Sequence, residues 1–171
     1  MRLLNVLSFF FFLMCSNFIY AEESIDNIVS KLKSATEVKV ALLDDFSHPY
    51  FGIDEKYFDA QSCKFEIRKN EISKFIEMFN AENLHVNDRK YSGEPRNRIS
   101  FTLENGEEIK FWFLRIFNNA QPVYGYVENS DLNGKFLIST NYTFMRSIFE
   151  LIKKYNAINI NESKYCSTFL K

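Results

Sequence analysis

The chain has 171 residues, 21 basic against 22 acidic, three cysteines, and an aromatic share of 17%. One domain of ordinary size can be built from that length, and near-neutral charge argues against general nucleic-acid binding, which needs a strongly basic face. Glycine and proline are few, with five and three residues, so the composition is not that of a disordered or low-complexity chain.

Residues 1–21, MRLLNVLSFFFFLMCSNFIYA, have a positive start at Arg2, an apolar stretch from Leu3 to Met14 and a small residue, Ala21, where cleavage is expected. The pattern is that of a secretory signal, too short and wrongly flanked for a spanning helix. Its rival is a retained amino-terminal anchor. Met14 before Cys15 argues against lipidation there. The expected organisation is a signal over 1–21 and a single domain over 22–171. Losing Arg2 leaves 20 basic against 22 acidic residues, a net charge of −2. The expected location is outside the cytoplasm, periplasmic in a bacterium and secreted otherwise.

Two cysteines then remain, Cys63 and Cys166, and in an oxidising compartment they have one intramolecular pairing. A cysteine nucleophile is not expected, because no activating histidine can be placed beside either.

Ile25, Ile28, Val29 and Leu32 recur at helical spacing behind Ser24, a capping residue. Glu37 to Leu43 reads as a strand. From Asp44 to Ser62 regular patterning is lost, while five aromatics (Phe46, Tyr50, Phe51, Tyr57, Phe58) stand beside Asp44, Asp45, Asp54, Glu55 and Asp59. Long unpatterned loops are uncommon unless functional or disordered. This one reads either as a flap with buried rings or as an acidic, aromatic recognition loop, in which Asp44, Asp45, Phe46, Tyr50, Phe51 and Asp54 are the candidate contacts.

Cys63 to Arg68 alternates as a strand, and Asn70 is placed to cap a helix carrying Ile72, Phe75, Ile76 and Phe79. The connection Asn87 to Arg98 gathers Arg89, Lys90, Tyr91 and Arg96, a candidate contact for phosphate or an acidic partner.

Arg98 to Phe117 reads as a β-hairpin around Asn105-Gly106. A two-residue loop would set Leu103 against Glu108 and Phe101 against Lys110, mixing charge into an apolar face. A three-residue loop, Glu104 to Gly106 with Gly106 left-handed, instead pairs Phe101 with Ile109, Ile99 with Phe111, Ser100 with Lys110 and Thr102 with Glu108. The bulged register is the expectation. Beyond Lys110 the second arm is apolar on both sides, which predicts a central strand covered on both faces.

Val123 to Val127 and Lys135 to Ser139 continue as strands joined by a turn at Asn133-Gly134, with Gly125 a weak point or a site of close approach. Thr140 or Asn141 caps a last helix whose inner face is Phe144, Ile148, Leu151, Ile152 and Tyr155. The expected fold is α+β, an antiparallel meander of about five to six strands packed on two to three helices.

No catalytic, phosphate-binding or metal-ligating motif stands out, so no cofactor and no enzyme activity are expected. His48 has Asp44 and Asp45 upstream and Ser47 beside it, but no nucleophile elbow surrounds any serine. A hydrolase centred on His48 is the weakest alternative. The leading expectation is a small exported binding protein acting on another protein, as inhibitors and toxin-immunity proteins do. The alternative is a small-ligand or lipid-binding protein with a cavity between sheet and helix, lined by Trp112 and its neighbours.

Overall fold

The computed structural model describes residues 25–43, 53–87, 93–115, 122–129, 135–154, 158–159 and 166. The signal segment 1–21, Ser24, residues 44–52, 88–92 and 130–134, Tyr155 and the helix-to-strand tail around it lie outside the described residues.

The chain starts as helix α1 (residues 25–31), tightens into a turn of 3-10 helix over Leu32–Ser34 and enters strand β1 (Ala35–Leu42). A short helix α2 (Glu55–Gln61) precedes β2 (Cys63–Glu66), and α3 (Ile72–Glu77) precedes β3 (His85–Val86). The hairpin is β4 (Pro95–Leu103) and β5 (Glu108–Leu114). After it come β6 (Val123–Asn129), β7 (Phe136–Thr140), α4 (Tyr142–Lys154) and β8 (Ile158–Asn159).

The strands form one sheet in the order β3-β7-β6-β5-β4-β1-β2-β8, every pair antiparallel. The architecture is α+β with a β4-to-β7 meander at its heart, as the pattern predicts. Among the described residues it has eight strands and four helices, more than the five to six strands and two to three helices expected. The two extra strands, β3 and β8, are two residues each, too short to show an alternation.

The hairpin takes the bulged register. Phe101 pairs with Ile109, Ile99 with Phe111, Ser100 with Lys110 and Thr102 with Glu108. Gly106 has φ 83°, the left-handed conformation that costs a residue with a Cβ but not glycine. The Leu103 N–H donates to the Glu107 carbonyl and the Gly106 N–H to the Leu103 carbonyl, both at 2.9 Å. β5 is central in the sheet and buried on both faces: Phe111 and Phe113 on one, Trp112 on the other.

The first face carries the main core. Val38, Val40, Phe65, Ile99, Phe101, Ile109 and Phe111 are all fully enclosed there. Over them lie α1 and the 3-10 turn after it through Ile25, Ile28 and Leu32, α3 through Ile72 and Phe75, and α4 through Phe144, Met145, Ile148 and Ile152. Phe79, just past α3, is the meeting point, edge-on to Phe101 (4.9 Å between centroids), Phe111 (5.1 Å) and Phe144 (5.3 Å). The helices fit their sequence stripes, but α3 begins differently. A 3-10 turn over Lys69–Glu71 leads into it, and Asn70 makes no cap. Asn141 does cap α4, its Oδ1 accepting the Phe144 N–H at 2.7 Å.

Cys63 and Cys166 form a disulfide. It closes a loop spanning 103 residues and ties β2 to the tail. Among the described residues no helix is long and apolar enough to cross a membrane.

Candidate functional site

On the second face of the sheet, pairing brings six residues abreast across six strands: Lys64, Ala41, Arg98, Trp112, Tyr126 and Leu137. α2 is laid over the middle of this rank. This helix corrects the expectation of an unpatterned loop over 44–62. Asp54 starts the helix, its Oδ1 accepting the Tyr57 N–H at 2.7 Å, and Glu55 follows in the first turn where negative charge is favoured. Seven residues with two adjacent large apolar side chains, Tyr57 and Phe58, give no measurable periodicity. The capping aspartate was the signal to read.

Phe58 is fully buried and meets Trp112 edge-on at 5.0 Å. The Arg98 guanidinium lies 5.3 Å from the Phe58 ring centre and 4.9 Å from that of Trp112, wedged between helix and sheet. Its charge is met by Asp59 at 2.6 Å and Glu55 at 3.5 Å, both from α2. Lys110 reaches Glu55 at 3.3 Å and Lys64 reaches Asp59 at 3.7 Å. Burial alone would lower the Lys110 pKa, but Glu108 and Glu55 outweigh it and hold the ammonium above its ordinary value. α2 is therefore fastened by an apolar plug and a ring of opposite charges.

Beside α2, over β5, β6 and β7, opens a cleft of about 560 Å³. Trp112 and Tyr126 form its floor, stacked with centroids 6.0 Å apart and planes 23° from parallel. Ile53, Pro95, Leu114 and Leu137 give apolar walls, and Asp54, Glu55, Glu128 and Lys135 a charged rim. The Trp112 indole N–H donates to Glu128 Oε2 at 2.8 Å. Lys135 Nζ stands 3.5 Å from Glu128 Oε1 and 4.0 Å from the centre of the Tyr126 ring. Burial raises the Tyr126 pKa against the pull of Lys135, so the phenol stays neutral. For Lys135 burial acts downward, but Tyr126 and Glu128 prevail and its pKa is raised. A smaller depression of about 270 Å³ is framed by Lys39, Lys64, Arg98, Ser100 and Glu108.

Of the residues singled out from sequence, Asp54 caps α2 and stands on the cleft rim. Arg96 is 1% exposed, buried at the irregularity between Pro95 and Asn97, with Nη2 2.8 Å from Glu94. Asp44, Asp45, Phe46, Tyr50, Phe51, Arg89, Lys90 and Tyr91 lie outside the described residues, as does His48. Ile53, Gly93 and Lys135 also line the cleft. Tyr126, Glu128 and Lys135 escaped the sequence reading, because finding them requires the register between β5, β6 and β7. The usable signal was the alternation Tyr124, Tyr126, Glu128 along one side of β6.

A scan against family models, a search of curated proteins and a search of solved structures found no match to this chain. Among the described residues no group of three or more histidines, cysteines and carboxylates is placed to hold a metal ion. What the cleft offers is apolar walls, an aromatic floor and a few fixed charges, which is binding chemistry.

Proposed function

We propose that this chain is an exported binding protein that acts by contact with another protein, as inhibitors and immunity proteins do, and that the cleft beside α2 is its contact site. The leader-like residues 1–21 and the disulfide-capable pair Cys63 and Cys166 support the export half of this reading. The cleft supports the other half. It lies on a rigid sheet beside α2, with an aromatic floor, apolar walls and a charged rim, the kind of surface that anchors a partner.

The test is affinity capture by the mature, oxidised protein from its native compartment, with two folded variants alongside. Leu137→Glu puts a charge in the cleft wall, and Arg146→Glu changes the exposed outer side of α4. The reading expects a defined partner to be lost with Leu137→Glu and kept with Arg146→Glu. Equal capture by both variants overturns it.

A second reading has a specific observation in its favour. A cleft of about 560 Å³ falls within the size range of small-ligand sites. In that case a small molecule, with no protein attached, would copurify with the chain and be released on denaturation, which mass spectrometry of the extract detects.

A further inference from the structure

The cleft already holds one cation, and it is the chain's own. Lys135 Nζ sits 4.0 Å from the Tyr126 ring centre and 3.5 Å from Glu128 Oε1. Both partners are fixed without it. Trp112 stacks against the Tyr126 ring, and its indole N–H holds Glu128 by Oε2 at 2.8 Å, leaving Oε1 for the ammonium. Lys135 itself is open to solvent, with its side chain 56% exposed and its residue just ahead of β7, and exposed pairs of this kind contribute little. A preorganised receptor with a solvent-accessible internal occupant is poised for exchange.

Resting on the reading of the cleft as a contact site, we propose that it takes a lysine side chain from an aliphatic-flanked segment of the partner protein, whose ammonium replaces that of Lys135 on Tyr126 and Glu128. Charge complementarity favours a cation. With Lys135 displaced, Glu128 loses its cation, while Asp54 stays on the α2 cap and Glu55 on Arg98 and Lys110. The single available Glu128 oxygen favours lysine over arginine. A guanidinium binds carboxylates best through both oxygens, and here one is committed to Trp112. The walls at Ile53, Leu114 and Leu137 suit the lysine stem and aliphatic neighbours.

Trp112 is the only tryptophan, so its fluorescence reports on the cleft floor directly. The probes are three capped synthetic peptides in which leucine alternates with lysine, arginine or glutamate, titrated into the oxidised protein with calorimetry in parallel. The lysine peptide is expected to bind saturably and more tightly than the arginine peptide, with the glutamate peptide silent. Lys135→Ala should tighten lysine-peptide binding by about two- to fivefold, the size of a surface cation–π contact. Tyr126→Leu should weaken it by about as much in a protein whose circular dichroism is unchanged. Weaker binding in Lys135→Ala, or preference for the arginine or glutamate peptide, overturns the lysine assignment while leaving the cleft a contact site. Silence from all three peptides overturns the lysine assignment too, and if Leu137→Glu still captures the native partner, the contact reading falls with it.

Discussion

Gly125 shows how little room the centre of the sheet leaves. A Cβ there would lie 2.2 Å from the Trp112 carbonyl oxygen and 3.1 Å from the Phe113 ring. The first neighbour is backbone and cannot turn aside. Gly125→Ala is therefore expected to cost about 1–3 kcal/mol or more, read as a lower urea midpoint at unchanged slope. The sequence marked this glycine as a weak point or a close approach, and the geometry selects the close approach. At the same scale, Tyr126 and Lys135 fix a pH dependence. Both have folded pKa values raised above their ordinary 10.0 and 10.5, so the folded state holds these protons more tightly than the unfolded chain does. That stabilisation is complete below about pH 10 and is lost as pH rises through the folded values. Urea midpoints should fall from pH 9 to 11, and the fall should be shallower in a Tyr126→Phe, Lys135→Met double variant.

Among the elements, α2 is the one whose hold on the body can be separated from the rest. Its contacts to the second face run through Phe58 and through Arg98, whose guanidinium serves both the aromatic wedge and the pairs with Asp59 and Glu55. Removing the charge while keeping the bulk, Arg98→Met, should cost about 1–2 kcal/mol, because the acidic partners are partly solvated. Hydrogen exchange should quicken over residues 55–61 while amides of β4 and β5 keep their protection. Elements differ in how far they could be read in advance. The hairpin was legible to the residue, since only one register separates Phe101, Ile109 and Phe111 from Lys110 and Glu108. α2 was not, because seven residues are fewer than two turns' worth of repeating apolar pattern. Of the cleft, the sequence singled out Asp54 and Trp112 but not the residues they meet there. Trp112, Tyr126 and Lys135 meet only through strand pairings that no local pattern encodes.

For the molecule as a whole, the disulfide is the long-range constraint on a sheet otherwise held by burial and backbone pairing. A Cys63→Ser, Cys166→Ser double variant should lose up to about 4.7 kcal/mol by the chain-entropy account of a loop of about a hundred residues. Reductant should lower the urea midpoint of the natural protein toward that variant and leave the variant itself unmoved. The sequence predicted this pairing by arithmetic alone, there being no other cysteine past residue 21. It also gave the α+β class and the central place of β5, because alternation and its breakdown are physical consequences of which faces are covered.

The spacing of that bridge has a temporal meaning. Cys63 leaves the ribosome 103 residues ahead of Cys166, an interval of roughly 5–20 s at ordinary rates of synthesis. All of β3 through β8, with α3 and the whole of α4, are made in between. A cross-link whose second half is delivered so late can ratify a topology but not choose it. The strand order must be written into burial and pairing alone, and the covalent seal then makes an already assembled body slow to come apart.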